Sequence, residues 1–236
     1  DELNFNVSSK TIQLAISKGI AGYIFFSTDM VYGIPQGNNI DELQTPNPIG
    51  EYGRSKLKAE NELTKFSKNK LPLTIFRPRL ISGPGRLGIF KKLFSLIYNS
   101  NMVPIIGNGN NCYQMVSVED CVSAIILAIH NNIPNEIINL ASQEKINVKT
   151  LINDLIYHAK SESKIFPFNA TLIKNILNIS DIVGLSIMYK EQYKIADKDI
   201  FLDISKAKSL LKWQPKFDDQ TMINQAYNFW LKKYKK

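Results

Sequence analysis

Short β-rich runs alternate with amphipathic stretches along the first two thirds of this 236-residue chain, and that alternation restricts the fold more than any other feature. Buried strands separated by helices belong together in a parallel sheet, so the pattern reads as α/β. Val7 to Ser17 is expected to be helical. Gly22-Tyr23-Ile24-Phe25-Phe26-Ser27 has the apolar continuity of a strand covered on both faces, and Tyr52 to Ser67, rich in Lys, Glu, Ala and Leu, reads as a helix. The loop between them carries Pro35, Gly37, Pro46, Pro48 and Gly50. A second buried strand, Leu73-Thr74-Ile75-Phe76, is expected to stop at Arg77-Pro78, because proline cannot donate to a central ladder. Helix Ile89 to Tyr98, an extended Val103 to Ile106, helix Val118 to His130 and strand Glu136 to Leu140 follow. After Ala141 the alternation weakens, and the rest reads mainly as helices around 148–159, 170–186, 204–211 and 219–234. The expected division is a parallel-sheet region over 1–141 and a mainly helical region over 142–236, interleaved with the first.

Composition excludes several classes. With 44% apolar and 10% aromatic residues the chain can bury a real core, and no apolar run approaches the roughly 18 residues that span a bilayer. A membrane-embedded protein is therefore not expected. Only Cys112 and Cys121 occur and no basic-then-apolar leader opens the sequence, which points to a reducing cytoplasm. The net charge of +8 favours anionic partners, but the lysines are spread over most helical segments and end in a solvated tail, Lys232-Lys233-Tyr234-Lys235-Lys236. Nucleic acid is not an expected partner. His130 and His158 lie far from any cluster with ligand spacing, so no metal site is expected.

The chemistry-bearing candidate is Tyr52-Gly53-Arg54-Ser55-Lys56. Positions i and i+4 share a helix face, with Cβ atoms about 5–6 Å apart. A tyrosine with a pKa near 10 is a poor base at neutral pH; a fixed cation beside it favours the phenolate and lets it exchange a proton with a substrate hydroxyl. Alone the pattern is weak, since about one such match is expected by chance in so lysine-rich a sequence. Its value rises because the Gly22 strand ends directly in Ser27-Thr28-Asp29, and ligands of open α/β sheets sit at the carboxyl ends of strands. Thr28 reads either as a turn cap or as a substrate contact.

Ser27-Thr28-Asp29-x-Val31-Tyr32-Gly33, then Tyr52-Gly53-x-Ser55-Lys56-x-x-Ala59-Glu60, then Arg77-Pro78 and Gly83-Pro84-Gly85 resemble the NAD-dependent epimerase/dehydratase family of extended short-chain dehydrogenases. Gly107-Asn108-Gly109, Val116-Ser117-Val118-Glu119-Asp120 and Leu211-Lys212-Trp213-Gln214-Pro215 resemble its downstream landmarks. The resemblance implies a Rossmann-like doubly wound parallel sheet, of which 1–141 is the C-terminal part, with a smaller, mostly helical substrate-binding region. It implies NAD or NADP as cofactor and a sugar, nucleotide-linked as in this family, as substrate. Tyr52 would be the acid/base and Lys56 would lower its pKa and hold the nicotinamide ribose. Ser27 and Pro78 would line the cofactor, and Thr28, Asp29, Arg79 and Arg86 would meet the substrate. A homodimer through the Val7–Ser17 and Tyr52–Ser67 helices would be in keeping.

Departures from the family pattern narrow the reading. Dehydratases of the family carry Thr-Asp-Glu at the turn, whereas Met30 follows Asp29 here, which argues against water elimination. No arginine precedes the Val116-Ser117-Val118 segment, where diphosphate-clamping members often have one. The glycine-rich phosphate loop is not found; Gly83 to Gly88 matches its spacing, but Pro84 removes a backbone donor from the anion nest, so this segment fits a substrate-side loop better. Upstream βα units before Asp1 are expected, at roughly 30 residues per motif. The expected activity is epimerisation through a transient keto sugar, with keto-sugar reduction or a non-catalytic, truncated binding partner as the alternatives.

Overall fold

The computed structural model describes residues 2–34, 37, 39–132, 135–182 and 190–235. Pro35 and the expected helical residues 183–186 lie outside the described residues. The elements run α1 (Glu2–Ser17), β1 (Tyr23–Phe26), β2 (Asn39–Ile40), α2 (Glu51–Ser67), β3 (Leu73–Pro78), β4 (Leu80–Ser82), α3 (Phe90–Tyr98), β5 (Val103–Ile106), β6 (Cys112–Tyr113) and β7 (Met115–Ser117). They continue as α4 (Val118–His130), β8 (Glu136–Leu140), β9 (Ile146–Asn147), α5 (Val148–His158), β10 (Ile165–Phe168), α6 (Ala170–Ile182), α7 (Lys190–Ile195), β11 (Phe201–Leu202), α8 (Ser205–Leu211) and α9 (Asp219–Tyr234). The chain forms two compact units, one of residues 1–79, 119–141 and 202–214, the other of 80–118, 142–201 and 215–236.

In the first unit β1, β3 and β8 form a parallel sheet in that order, with Phe26 beside Phe76 and Arg77 beside Asn139. Every residue of β3 is buried, as expected of a central strand in a layered α/β architecture. Helices α1 and α2 cover one face, where Ile12, Ala15, Ala59 and Leu63 pack with Phe25, Leu73 and Ile75. Trp213, after α8, is buried and its indole N–H donates to the Asp120 carbonyl at 3.0 Å, tying that segment to α4. β3 extends two residues beyond the expected stop: Pro78 pairs with Leu140, and Arg79 N–H donates to the Leu140 carbonyl at 2.8 Å. Donors alternate in direction along a strand, so the N–H that Pro78 lacks would point away from β8, past the end of β1, and nothing in the ladder is lost.

The second unit packs around α3, α5 and α9, with Phe94, Leu155, Ile223, Tyr227 and Trp230 in its core. It contains more strand than the sequence suggests. β4 pairs with β7 and β5 with β10, both parallel, and β6 pairs with β9 antiparallel. β10 reads Ile165-Phe166-Pro167-Phe168, and its proline hides it from a strand search although it pairs along its length with β5.

Candidate active site

The site forms where β1 ends. Ser27 N–H donates to the Phe76 carbonyl at 2.8 Å, and the chain then bends into a single 3₁₀ turn, Asp29–Val31. Thr28 caps that turn: its backbone is extended, its Oγ1 accepts the Met30 N–H at 3.3 Å, and its own proton points to Asp29 Oδ1 at 3.4 Å. Asp29 forms a buried ion pair with Arg79, which follows β3 and is bonded through its backbone to β8. The loops after β1 and β3 are thus clamped together at the carboxyl end of the sheet, where open α/β folds bind ligands.

Helix α2 brings the other half. Tyr52 sits in its first turn, 37% exposed, and Lys56 follows one turn later on the same face. Between them Gly53 lies against the Thr28 turn: a Cβ there would stand 2.6 Å from the Met30 carbonyl oxygen and 2.9 Å from Pro48 Cβ. Only glycine lets this helix approach so closely. Lys56 Nζ donates to the Phe26 carbonyl at 2.9 Å and lies 4.8 Å from the Phe25 ring centre, so the ammonium is anchored at the last residue of β1. Burial pulls its pKa below the ordinary lysine value, with Glu60 opposing. Ser27 Oγ, on the next residue along the chain from Phe26, is buried and has no hydrogen-bond partner among the described residues.

Ser27, Thr28, Asp29, Tyr52, Lys56, Pro78 and Arg79 therefore all belong to one unit, around the ends of β1 and β3. Arg79 is 2% exposed, and its guanidinium pairs with Asp29, which ties the loops after β1 and β3 together. Arg86 belongs to the second unit, exposed in a turn in which its N–H donates to the Gly83 carbonyl at 3.0 Å. Among the described residues no group of three or more His, Cys, Asp or Glu side chains could hold a metal.

One supporting network escaped sequence reasoning. Arg77 and Glu60 form a buried bidentate pair, Nε to Oε1 at 3.1 Å and Nη2 to Oε2 at 2.5 Å, and Arg77 also lies over the Tyr32 ring. The Tyr32 hydroxyl donates to Asn139 Oδ1 at 2.8 Å, while Asn139 N–H donates to Glu42 Oε1 at 2.7 Å. Burial pushes the Tyr32 phenol up to about 12, so it stays a hydrogen-bond donor near neutrality. The readable signal was an arginine inside the apolar run Leu73 to Pro78, since a buried guanidinium demands a carboxylate.

The chain matches the model of the NAD dependent epimerase/dehydratase family over residues 2–141. It is 30% identical over 220 residues to the uncharacterized protein y4nG of Sinorhizobium fredii, covering 92% of this chain and 54% of that protein. It is 27% identical over 148 residues to the dTDP-D-glucose 4,6-dehydratase of Mus musculus, covering 61% of this chain and 42% of that enzyme. The chain thus spans about half the length of these relatives. Among solved structures, UDP-glucuronic acid 4-epimerase from Bacillus cereus in complex with NAD superposes with a TM-score of 0.80 at 22% identity, covering 98% of this chain and 68% of that one. That likeness establishes the Rossmann-type α/β fold.

Proposed function

Because the chain belongs to the NAD dependent epimerase/dehydratase family, we propose that it takes part in NAD(P)-dependent modification of a nucleotide-linked sugar, epimerising one carbinol centre through a transient ketone. The observation that carries this reading is the seating of Gly53 on the Met30 carbonyl, which sets Tyr52 and Lys56 against the Thr28 turn at the end of β1. Similar structures hold NAD, and the buried Ser27 hydroxyl and the desolvated Lys56 ammonium supply donors suited to such a cofactor at the carboxyl end of the sheet. NAD(P), held there, would supply the acceptor and donor of the hydride. Tyr52, as the phenolate that the neighbouring ammonium stabilises, takes the proton of the sugar hydroxyl to become a phenol and gives it back when the ketone is reduced. Thr28 orients the reacting oxygen. Asp29, bound to Arg79, shapes the turn, and Met30 carries no acid, so the residues suited to eliminating water are not in place.

In this reading the unit containing the three-stranded sheet binds the cofactor and the second unit, with Arg86, meets the substrate. Two copies pair through α1 and α2, since Val7 and Leu14, seven residues apart on α1, are both exposed. The test is NMR of the protein with NAD and a panel of uridine- and thymidine-diphosphate hexoses. Interconversion at one stereocentre without net use of cofactor supports epimerisation, stoichiometric oxidation of added NADPH with a keto sugar supports reduction instead, and formation of a deoxy keto sugar would overturn both.

A further inference from the structure

The basic charge of this protein is not spread evenly once the chain is folded. Asp and Glu are absent from Leu63 through Val118 and from Gln220 through the C-terminus, and those two stretches supply α3 and nearly all of α9. The helices pack on each other in the second unit, with the Phe94 ring 6.1 Å and the Tyr98 ring 5.8 Å from Trp230. Lys91, Lys92, Lys232, Lys233 and Lys235 are all exposed there, together with Tyr98 and Tyr234. Lys235, part of the stretch that in sequence reads as a solvated tail, is laid over an aromatic ring, its Nζ 4.6 Å from the Tyr98 ring centre, and Lys91 Nζ is 5.2 Å from the ring centre of Tyr234. Lys233 sits 5.4 Å from Tyr234 as well. Helix α5, which packs on α9, adds one acid, Asp154, and one base, Lys149, and these cancel.

We propose that this lysine and tyrosine face of α3 and α9 docks on the anionic headgroup surface of a phospholipid bilayer. Charge complementarity is the first argument: five exposed ammonium groups on α3 and the C-terminal end of α9, where the one carboxylate of the two helices, Asp219, is buried at the other end of α9, create a local field that an anionic lipid surface neutralises. Chemistry is the second. Lysines on flexible stems beside amphipathic tyrosines are the side chains that settle at headgroup depth, ammonium to phosphate and ring to the acyl boundary. Base stacking, by contrast, needs free ring faces, and here lysines cover those of Tyr98 and Tyr234; no arginine fork stands on either helix to grip a phosphate backbone. Docking of this kind needs no spanning segment, and among the described residues no helix is long and apolar enough to cross a membrane.

The test is co-sedimentation of the full chain with phosphatidylcholine vesicles containing either none or about 30% phosphatidylserine, at about 0.1 M salt. The protein should pellet with the anionic vesicles only and be released by about 0.5 M salt. Changing Lys91, Lys92, Lys232, Lys233 and Lys235 to Gln should weaken binding at least about tenfold, with the thermal melt unchanged. A control with Lys10, Lys18, Lys65, Lys68 and Lys70 changed to Gln loses the same charge from exposed sites in the first unit and should keep binding. Equal loss in the control, equal binding to neutral vesicles, or tighter binding to duplex DNA than to anionic vesicles at the same salt would each overturn the proposal.

Discussion

Replacing Gly53 by alanine sets two physical effects against each other, and the geometry decides the winner. By intrinsic propensity alone, alanine in place of glycine should stabilise a helix by about 1 kcal/mol. The added Cβ, however, would lie 2.6 Å from the Met30 carbonyl oxygen, where ordinary contact begins at 3.4 Å, so α2 or the Thr28 turn must move by 3.4 − 2.6 = 0.8 Å. The obstacle is backbone and cannot swing aside, and Pro48 Cβ at 2.9 Å blocks a neighbouring direction. Overpacking of this kind costs about 1–3 kcal/mol, enough to cancel the propensity gain or exceed it by about 2 kcal/mol. The displacement also moves Tyr52 and Lys56 relative to Thr28, and a misplacement near 1 Å lowers turnover by about 100-fold. Urea denaturation should therefore give a lower midpoint at unchanged slope, alongside the lost activity. An alanine variant more stable than the parent, or one of parental activity, would refute the claim that this glycine exists to seat the helix.

Arg77→Met should destabilise the protein by about 3–5 kcal/mol in the same assay, because it strands the buried Glu60 carboxylate, whereas adding Glu60→Leu should recover much of the loss. Asp219, fully buried with Oδ1 accepting the Met115 N–H at 2.8 Å, is pushed up to about 7 by burial from an ordinary 3.8. The native state then keeps a proton that the unfolded chain releases, so this residue's contribution is complete below about pH 4 and is lost as pH rises through about 7, by at most about 4 kcal/mol. Asp219→Asn should remove that slope from the pH dependence of melting and stand above the parent at pH 8; parallel pH profiles for the two proteins would contradict it.

How far the sequence foretold the structure depended on whether an element's character lies within it. β1, β3 and β8 were readable because central parallel strands are continuous apolar runs, and α4 because its apolar residues recur at helical spacing. β4, β6, β7 and β9 were not, since pieces of two or three residues become strands only through a partner distant in sequence. That Tyr52 and Lys56 share a helix face was legible because the relation is local, one helical turn. The pairing of Arg79 with Asp29 was not legible for the opposite reason: the two lie 50 residues apart, and only folding brings them together.

The most direct test of the account is the turnover of Tyr52→Phe on whichever nucleotide sugar the NMR panel identifies, measured beside its urea midpoint. The change deletes only a phenolic oxygen from a side chain that is 37% exposed, so the fold should be unaffected. Loss of the proton carrier should lower turnover by about 100- to 10,000-fold at an unchanged midpoint. Turnover equal to the parent's, from a variant that is equally well folded, would show that Tyr52 does not carry the proton and that the chemistry resides elsewhere.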